Sequence, residues 1–300
     1  MSVNSELRSL DIDIPSQPQA LVQLSLLLAE EDINLQAASS LIETDMALAA
    51  AVLKAVNSSL YGLRGRVQSV QQAITYLGMR EVAAITFEMG LRAAFPPAAE
   101  LEPVWKRAAV RGLMMGRLGQ RLSLDSWAAH SAGLFEECGK AVLFRHAPDH
   151  YRAMLRAAGG GPEADAKLLT LEHAGFGVSH DALGAALCES WGLGAAAVAS
   201  VRHHVRVQGM LEYPPALARR SICALSAVVH ALMNPPAAGA AAAAEPDTPV
   251  SGEPATDRLD HVVLMLAPGA NLDPTLLLRA ARQVQEQLDQ ALSHGRDAGV

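Results

Sequence analysis

An all-α chain, built as a compact array of short helices, is what this sequence predicts, and three observations predict it. Half of the 300 residues are hydrophobic but only 4% are aromatic, so the core filler is Leu, Ala, Val and Met, which favour helix over sheet. Apolar residues recur at three- and four-residue spacing, and no sustained run of alternating β-branched residues occurs. Short polar or Pro/Gly breaks separate the periodic stretches. The length allows one large or two modest domains.

In order along the chain, Ile12, Ile14, Pro15 and Pro18 form an extended lead-in to a first helix, on which Leu21, Leu24 and Leu28 share a face. Asp32 and Asn34 offer caps for a short helix carrying Leu35, Ala38, Leu41 and Ile42. Thr44 or Asp45 caps the next, with Leu48, Val52 and Ala55 along one side. It stops at Asn57-Ser58-Ser59, whose short polar side chains compete for the backbone. Ser69 caps a helix with Val70, Ala73, Ile74 and Leu77 buried and Gly78 as its stop. Val82, Ile85 and Met89 line a fifth, ended by Pro96-Pro97.

A helix over residues 105–122 leads to Ala132-Gly-Leu-Phe-Glu-Glu-Cys-Gly-Lys140, where Leu134, Cys138 and Val142 recur every four residues. This stretch reads as one buried-core helix continuing through Phe144. Gly139 inside it costs about 1 kcal/mol against alanine, which implies that another backbone packs closely there. Glu136 and Glu137 are either a site, or the remains of one, or surface charge with Glu136 pairing Lys140 one turn on. The surface reading is the expectation from this stretch alone.

Tyr151, Met154 and Leu155 mark a helix closing at Gly159-Gly160-Gly161, and Pro162 opens another. Ser179 caps a helix holding Ala182, Ala186 and Leu187, with Trp191-Gly192 at its end. An alanine-rich helix leads into His203-His204, and Pro214-Pro215 opens one that reaches about residue 233. Residues 235–256 have almost nothing to bury, the composition of a disordered linker. A long alanine helix over 237–244 is the alternative, opposed by Gly239 and the flanking prolines. The apolar run 261–266 is compatible with more than one type. Asp273-Pro274 then begins an amphipathic helix, about 274–293, with Leu277, Leu278, Ala281, Val284 and Leu288.

The net charge is −7 (24 basic against 31 acidic residues), which disfavours a partner bound through a phosphate backbone. Cys138, Cys188 and Cys223 lie far apart in apolar patterns and read as reduced core thiols. No signal-peptide pattern and no membrane-length apolar run is present, so a cytoplasmic location is expected.

Two windows carry a family resemblance. The first is Ile42-Glu43-Thr44-Asp45, Leu48, Val52-Leu53, Asn57-Ser58-Ser59-Leu60-Tyr61-Gly62, Ala73-Ile74 and Leu77-Gly78. The second is Gly133 to Gly139-Lys140, His180 with Gly184, Trp191-Gly192-Leu193, and His203-His204. Together they resemble the HDOD domain, the HD-related output domain of bacterial signalling proteins, over roughly residues 10–230. Met46 departs from the pattern, standing where the family usually has proline, and should only loosen the helix start. The resemblance implies an HDOD-like domain over 10–233, with an N-terminal helical subdomain over about 10–97 and a degenerate HD-like subdomain over about 98–233. The linker 235–256 and a C-terminal segment 257–300 follow.

The HDOD family is related to HD phosphohydrolases, including the HD-GYP cyclic-di-GMP phosphodiesterases. Those enzymes use histidines and a His-Asp doublet to hold metals that activate water on a phosphoester. By the resemblance, the doublet falls on Glu136-Glu137 and the upstream histidine on Arg107, while His180 and His203-His204 match histidine positions. The implied catalytic set is broken at its centre. Glu136, Glu137, His180, His203 and His204 remain weak metal candidates. The expectation is no catalytic residue, no metal and no cofactor, with Arg107 within reach of at least one of the two glutamates, filling the vacated site. The histidines are read as structural, their ring nitrogens bonding helix-end carbonyls between subdomains. Asn57 and Ser58 are read as a satisfied helix stop, and Trp105, Trp127 and Trp191 as core.

The function implied is a non-catalytic signal-transduction module acting through protein–protein interaction. The alternative is a residual metal-dependent phosphohydrolase acting on a nucleotide or cyclic dinucleotide. No receiver, GGDEF or EAL-type segment is visible. The expected partners are therefore signalling proteins on separate chains (kinases, response regulators or cyclic-di-GMP enzymes), with no nucleic acid and no membrane.

Overall fold

Local capping chemistry sets where the first helices begin. The structure, a computed structural model, describes residues 12–28, 30, 32–58, 60–61, 63, 65–160, 164–235 and 258–297. It opens with α1 (Gln19–Leu28), α2 (Leu35–Thr44), α3 (Met46–Val56), α4 (Val70–Leu77) and α5 (Met79–Ala93). Asn34 Oδ1 accepts from the Ala37 amide at 3.0 Å and starts α2. Asp45, rather than Thr44, caps α3: its Oδ1 accepts from the amides of Ala47 and Leu48, both at 3.0 Å. The Thr44 hydroxyl turns back to the Leu41 carbonyl. Ser69 Oγ accepts from the Gln72 amide and starts α4.

Asn57 does more than stop α3. Its Nδ2 donates to the carbonyls of Leu53 (3.0 Å) and Val67 (2.8 Å), and its Oδ1 accepts from the Val67 amide (3.2 Å). One amide therefore ties both strands of the loop that returns the chain to α4. Gly78, at φ 85°, separates α4 from α5 in a conformation that side-chain-bearing residues rarely adopt.

The chain continues through α6 (Glu102–Arg121), α7 (Ser126–Phe135), α8 (Cys138–His146), α9 (Pro148–Ala158), α10 (Ala164–Phe176), α11 (His180–Ser190), α12 (Ala195–Met210) and α13 (Ser221–Met233). Helices α14 (Arg258–Leu266) and α15 (Pro274–Asp297) complete the described elements. No strand occurs among the described residues, in line with the all-α prediction. The linker expected over 235–256 lies outside them except for Pro235, as do Ser59, Gly62 and Pro162. Helix α13 begins at Ser221, and Pro214-Pro215 sits in the turn before it rather than opening it. The ambiguous run 261–266 is helical, as part of α14.

Two hydrophobic clusters organise the fold. One joins Leu21, Ile42, Val52 and Leu91 of the first helices to Phe135, Leu143, Tyr151, Leu187 and Val201. The other joins Leu113 and Leu118 of α6 to Val228 of α13, Val263 of α14 and Leu277, Val284 and Leu288 of α15. Helix α6 thus stands between the two cores. All three cysteines are buried and free.

Helices α8 and α11 touch backbone to backbone at Gly139. A Cβ there would lie 1.9 Å from the His180 carbonyl oxygen and 2.7 Å from the Gly184 amide nitrogen. The close approach expected from this glycine is real, and it brings His180 beside the Glu136-Glu137 turn.

Candidate functional site

The glutamate pair sits on a break, not within a helix. Helix α7 ends at Phe135 and α8 starts at Cys138, so Glu136 and Glu137 form the turn between them. The four-residue spacing of Leu134, Cys138 and Val142 hides this break, because both helices bury apolar residues into the same core. Both glutamates are buried, at 1% and 3% exposure, which overturns the surface-charge reading.

Burying two carboxylates requires donors. Helix α6 supplies Arg107 and Arg111, four residues apart and hence on one face. Arg107 grips Glu137 with two bonds, Nε to Oε2 at 3.0 Å and Nη2 to Oε1 at 2.9 Å. Arg111, itself 4% exposed, donates from Nη2 to Glu137 Oε2 at 2.8 Å, and its Nε lies 3.1 Å from Glu136 Oε1 without hydrogen-bond geometry. Lys140 also donates to Glu137, and at 2.7 Å to Asp165. The lysine pairs with Glu137 three residues back rather than with Glu136, because the turn swings Glu136 towards α12 and α13. There Gln208 Nε2 donates to Glu136 Oε1 at 2.8 Å and Ser226 Oγ to Glu136 Oε2 at 2.7 Å.

The cluster balances three cations (Arg107, Arg111, Lys140) against three carboxylates (Glu136, Glu137, Asp165). Burial alone would raise Glu137, but Lys140, then Arg111 and Arg107, hold it well below the usual carboxylate range. Lys140 is pushed up in turn: burial opposes this, and Glu137 and Asp165 outweigh it.

A second buried network adjoins the first. Glu172, fully buried on α10, accepts from Tyr151 Oη at 2.6 Å, from the His180 amide at 2.8 Å and from His180 Nδ1 at 2.8 Å. Glu172 therefore caps α11 from outside. The expected cap, Ser179, is turned to Asp181 instead. His180 was expected to bond a helix-end carbonyl, and its partner is this carboxylate. Burial would depress His180, and the charge and hydrogen bond of Glu172 raise it instead. His204 Nδ1 bonds the Val201 carbonyl of its own helix at 2.8 Å, and His203 is half-buried.

The sequence-predicted metal candidates are thus not brought together as a ligand set. Glu137 faces three cations, Glu136 is held by Gln208 and Ser226, and His180 Nδ1 is engaged by Glu172. Among the described residues, no three or more His, Cys, Asp or Glu side chains could hold a metal ion together. A divalent cation at Glu137 would meet Arg107, Arg111 and Lys140 at contact distance, so these residues do not fit one. On one flank a cleft of about 1000 Å³ is lined by Asp165, Thr170, Asp181, Gln208, His230 and Arg258, among others.

Several of the other motif residues make local structural contacts. Asp45 and Asn57 hold helix ends, Trp191 Nε1 donates to the Pro15 carbonyl, and Gly192 takes φ 71° after α11. Tyr61 and Leu77 pack on the first core, while Gly184 admits Val201 and Cys138. Sequence reasoning missed Arg111, Asp165, Glu172, Gln208 and Ser226. Only Arg111 left a signal: it is in phase with the buried Ala108, Met115 and Leu118 on α6, a cation on a largely apolar face.

Asp165 gives the site a pH signature. Burial would raise its carboxyl, but Lys140 outweighs burial and holds it at about 2, against an ordinary 3.8. A depressed folded-state value means stability that is complete above about pH 4 and lost as pH falls through about 2. Urea unfolding at stepped pH should show a loss of about 2 kcal/mol over that interval from this group. The loss over that interval should be smaller by that amount in Asp165→Asn, and an unchanged loss would mean that Lys140 does not hold the carboxylate.

A family model for the HDOD domain matches residues 14–207. A curated protein of Treponema pallidum (strain Nichols), itself uncharacterized, is 26% identical over 210 residues, or 68% of this chain. The chain spans about 40% of that relative's length. Among solved structures, a protein of Marinobacter aquaeolei VT8, provisionally named for signal transduction, aligns with a TM-score of 0.69 at 21% identity, covering 98% of this chain and 65% of that one. A provisionally named phosphohydrolase of Shewanella amazonensis SB2B gives 0.63 at 17% identity, covering 97% of each chain. An HDOD domain protein of unknown function from Geobacter sulfurreducens gives 0.63 at 18% identity, covering 96% of each. At these identities the structures share the fold. No described helix is long and apolar enough to cross a membrane.

Proposed function

Because the chain belongs to the HDOD domain family, we propose that it is a non-catalytic signal-transduction module, working through contacts with signalling proteins on separate chains. One observation carries this reading. Glu137, at the position that the resemblance gives to the metal-binding aspartate, has both oxygens taken by Arg107, Arg111 and Lys140. Metal-activated hydrolysis needs a complete set of ligands and an open coordination position. A carboxylate already neutralised by three buried or half-buried cations offers neither. The same ion cluster serves a scaffold well, because it fixes α6, α8 and α10 against one another.

The test is metal analysis of protein purified with added Mn²⁺ or Fe²⁺, together with cyclic-di-GMP hydrolysis under the same conditions. The expected result is no stoichiometric transition metal and no hydrolysis. Metal near one equivalent per chain, lost in His180→Ala and His203→Ala, would return the protein to the phosphohydrolases. Pull-down from the native cell should then recover a kinase, response regulator or cyclic-di-GMP enzyme. Recovery of none of these would remove the partner assignment.

A further inference from the structure

A pocket of about 480 Å³ lies where the first turns of α6 meet α8 and α9. Two helix faces supply most of its wall: Pro103, Val104 and Arg107 of α6, and Arg152, Leu155 and Arg156 of α9. Lys140 and Glu100 complete the lining. Four cations therefore stand around one carboxylate in a chain whose net charge is −7. Arg152 and Arg156 belong to neither motif window and take no part in the ion cluster.

Carboxylates hold two of these arginines in place and leave part of each unspent. Arg107 gives Nε and Nη2 to Glu137, and its Nη1 makes no hydrogen bond to a described residue. Arg152 gives Nε to Glu100 and, at 2.6 Å, Nη1 to Asp149, while its guanidinium lies 5.6 Å from the centre of the Phe144 ring. Its Nη2 has no partner among the described residues. Arg156 uses only Nε, on the Arg152 carbonyl at 3.4 Å, so neither of its terminal nitrogens bonds a described residue.

Guanidiniums fixed by their own ion pairs, each with N–H groups to spare, are the pre-positioned donors that an anion site needs. Lys140, 4% exposed and held by Glu137 and Asp165, adds a buried positive charge beside them. Glu100, Glu137 and Asp149 offset much of the total charge. What the pocket offers an anion is therefore aimed N–H groups more than bulk potential.

Three such guanidiniums call for an acceptor with several oxygens and more than one charge. A phosphomonoester has three terminal oxygens and close to two charges at pH 7. A carboxylate or a phosphodiester has only two free oxygens and one charge. Pro103, Val104 and Leu155 add an apolar wall, which an inorganic ion leaves unused. We propose that this pocket binds a small phosphomonoester, its phosphoryl oxygens on Arg107, Arg152 and Arg156 and its organic part against Pro103, Val104 and Leu155. Such a ligand clamps α6 to α9 beside the ion cluster and gives the module a small-molecule input. It needs neither a metal nor the two histidines His180 and His204, so it stands whether or not the module is catalytic.

The experiment is calorimetric titration of the full chain in phosphate-free buffer at low ionic strength, with EDTA present to exclude metal-dependent binding. The probes are inorganic phosphate, glucose 6-phosphate and AMP, with cyclic-di-GMP as the diester comparator. Glucose 6-phosphate or AMP should bind, more tightly than inorganic phosphate and than cyclic-di-GMP. Its affinity should fall by about tenfold or more in Arg156→Ala and in Arg152→Ala. It should be unchanged in Arg206→Ala, an exposed arginine outside the pocket. Arg156 is exposed and lies outside the ion cluster, so its variant keeps the test readable if Arg152→Ala is unstable. The proposal is overturned if neither organic monoester binds, if cyclic-di-GMP binds as tightly as they do, or if Arg156→Ala and Arg152→Ala keep the parental affinity. Binding of inorganic phosphate alone overturns it too, because the apolar wall would then hold nothing.

Discussion

Arg111→Ala should destabilise the fold by about 3–5 kcal/mol, the loss expected when one partner of a buried ion cluster is removed. Arg111 is the only cation that reaches both glutamates among the described residues, and it is 4% exposed. Without it Glu136 keeps only the neutral donors Gln208 and Ser226, and a buried carboxylate with no cation is the costly product. Arg107→Ala should cost less, about 1–2 kcal/mol, since its side chain is 42% exposed and water can take its place. A double-mutant cycle of Arg107→Ala with Glu137→Gln should show coupling, and the cycle with Glu136→Gln should show almost none. Urea unfolding supplies all these values. An Arg111→Ala protein as stable as the parent would mean that the cluster holds nothing together.

Gly139→Ala should be comparably damaging although it adds a single methyl group. The new carbon would fall 1.9 Å from the His180 carbonyl oxygen, and neither that atom nor the Gly184 amide belongs to a side chain that can rotate away. Relief requires α8 and α11 to separate along their contact. That would disturb Cys138, Val142 and Leu187 in the core and the Glu172–His180 pair beside it. Overpacking of this kind costs about 1–3 kcal/mol where side chains can adjust, and rigid backbone places this case at about 3 kcal/mol or above. Gly192→Ala is the contrast: nothing stands within 4 Å of its Cβ, so only the strain of φ 71° is felt. If Gly139→Ala melts with Gly192→Ala or above it, the helices are not in backbone contact at this point.

What could be read from the sequence was local. Asp45, Asn34 and Ser69 act within three residues of themselves, and each caps the helix that follows it. Gly139 was legible because a glycine in an apolar helix has few other uses. Arg107 reaches one of the two glutamates, Glu137, as expected from the family resemblance. The rest depends on residues far apart: Glu136 meets Ser226 from 90 positions away, and Glu137 meets Arg111 from 26. No periodicity encodes such pairs. The turn at Glu136-Glu137 was invisible for a different reason, since two helices burying one continuous core preserve the four-residue rhythm across their junction.

The first hydrophobic core also constrains how the chain emerges from a ribosome. Its members run from Leu21 to Val201, and the Pro15 carbonyl finds its donor only at Trp191, 176 residues later. The opening five helices end at Ala93, so their apolar faces are synthesised more than a hundred residues before the last of their partners. At elongation rates of about 5–20 residues per second that delay is about 5–20 s. During it the first five helices can pack on one another, but their sides turned to Phe135, Leu143 and Val201 have no native surface to cover them. A nascent chain paused anywhere between α5 and α12 is therefore the form of this protein most in need of a chaperone.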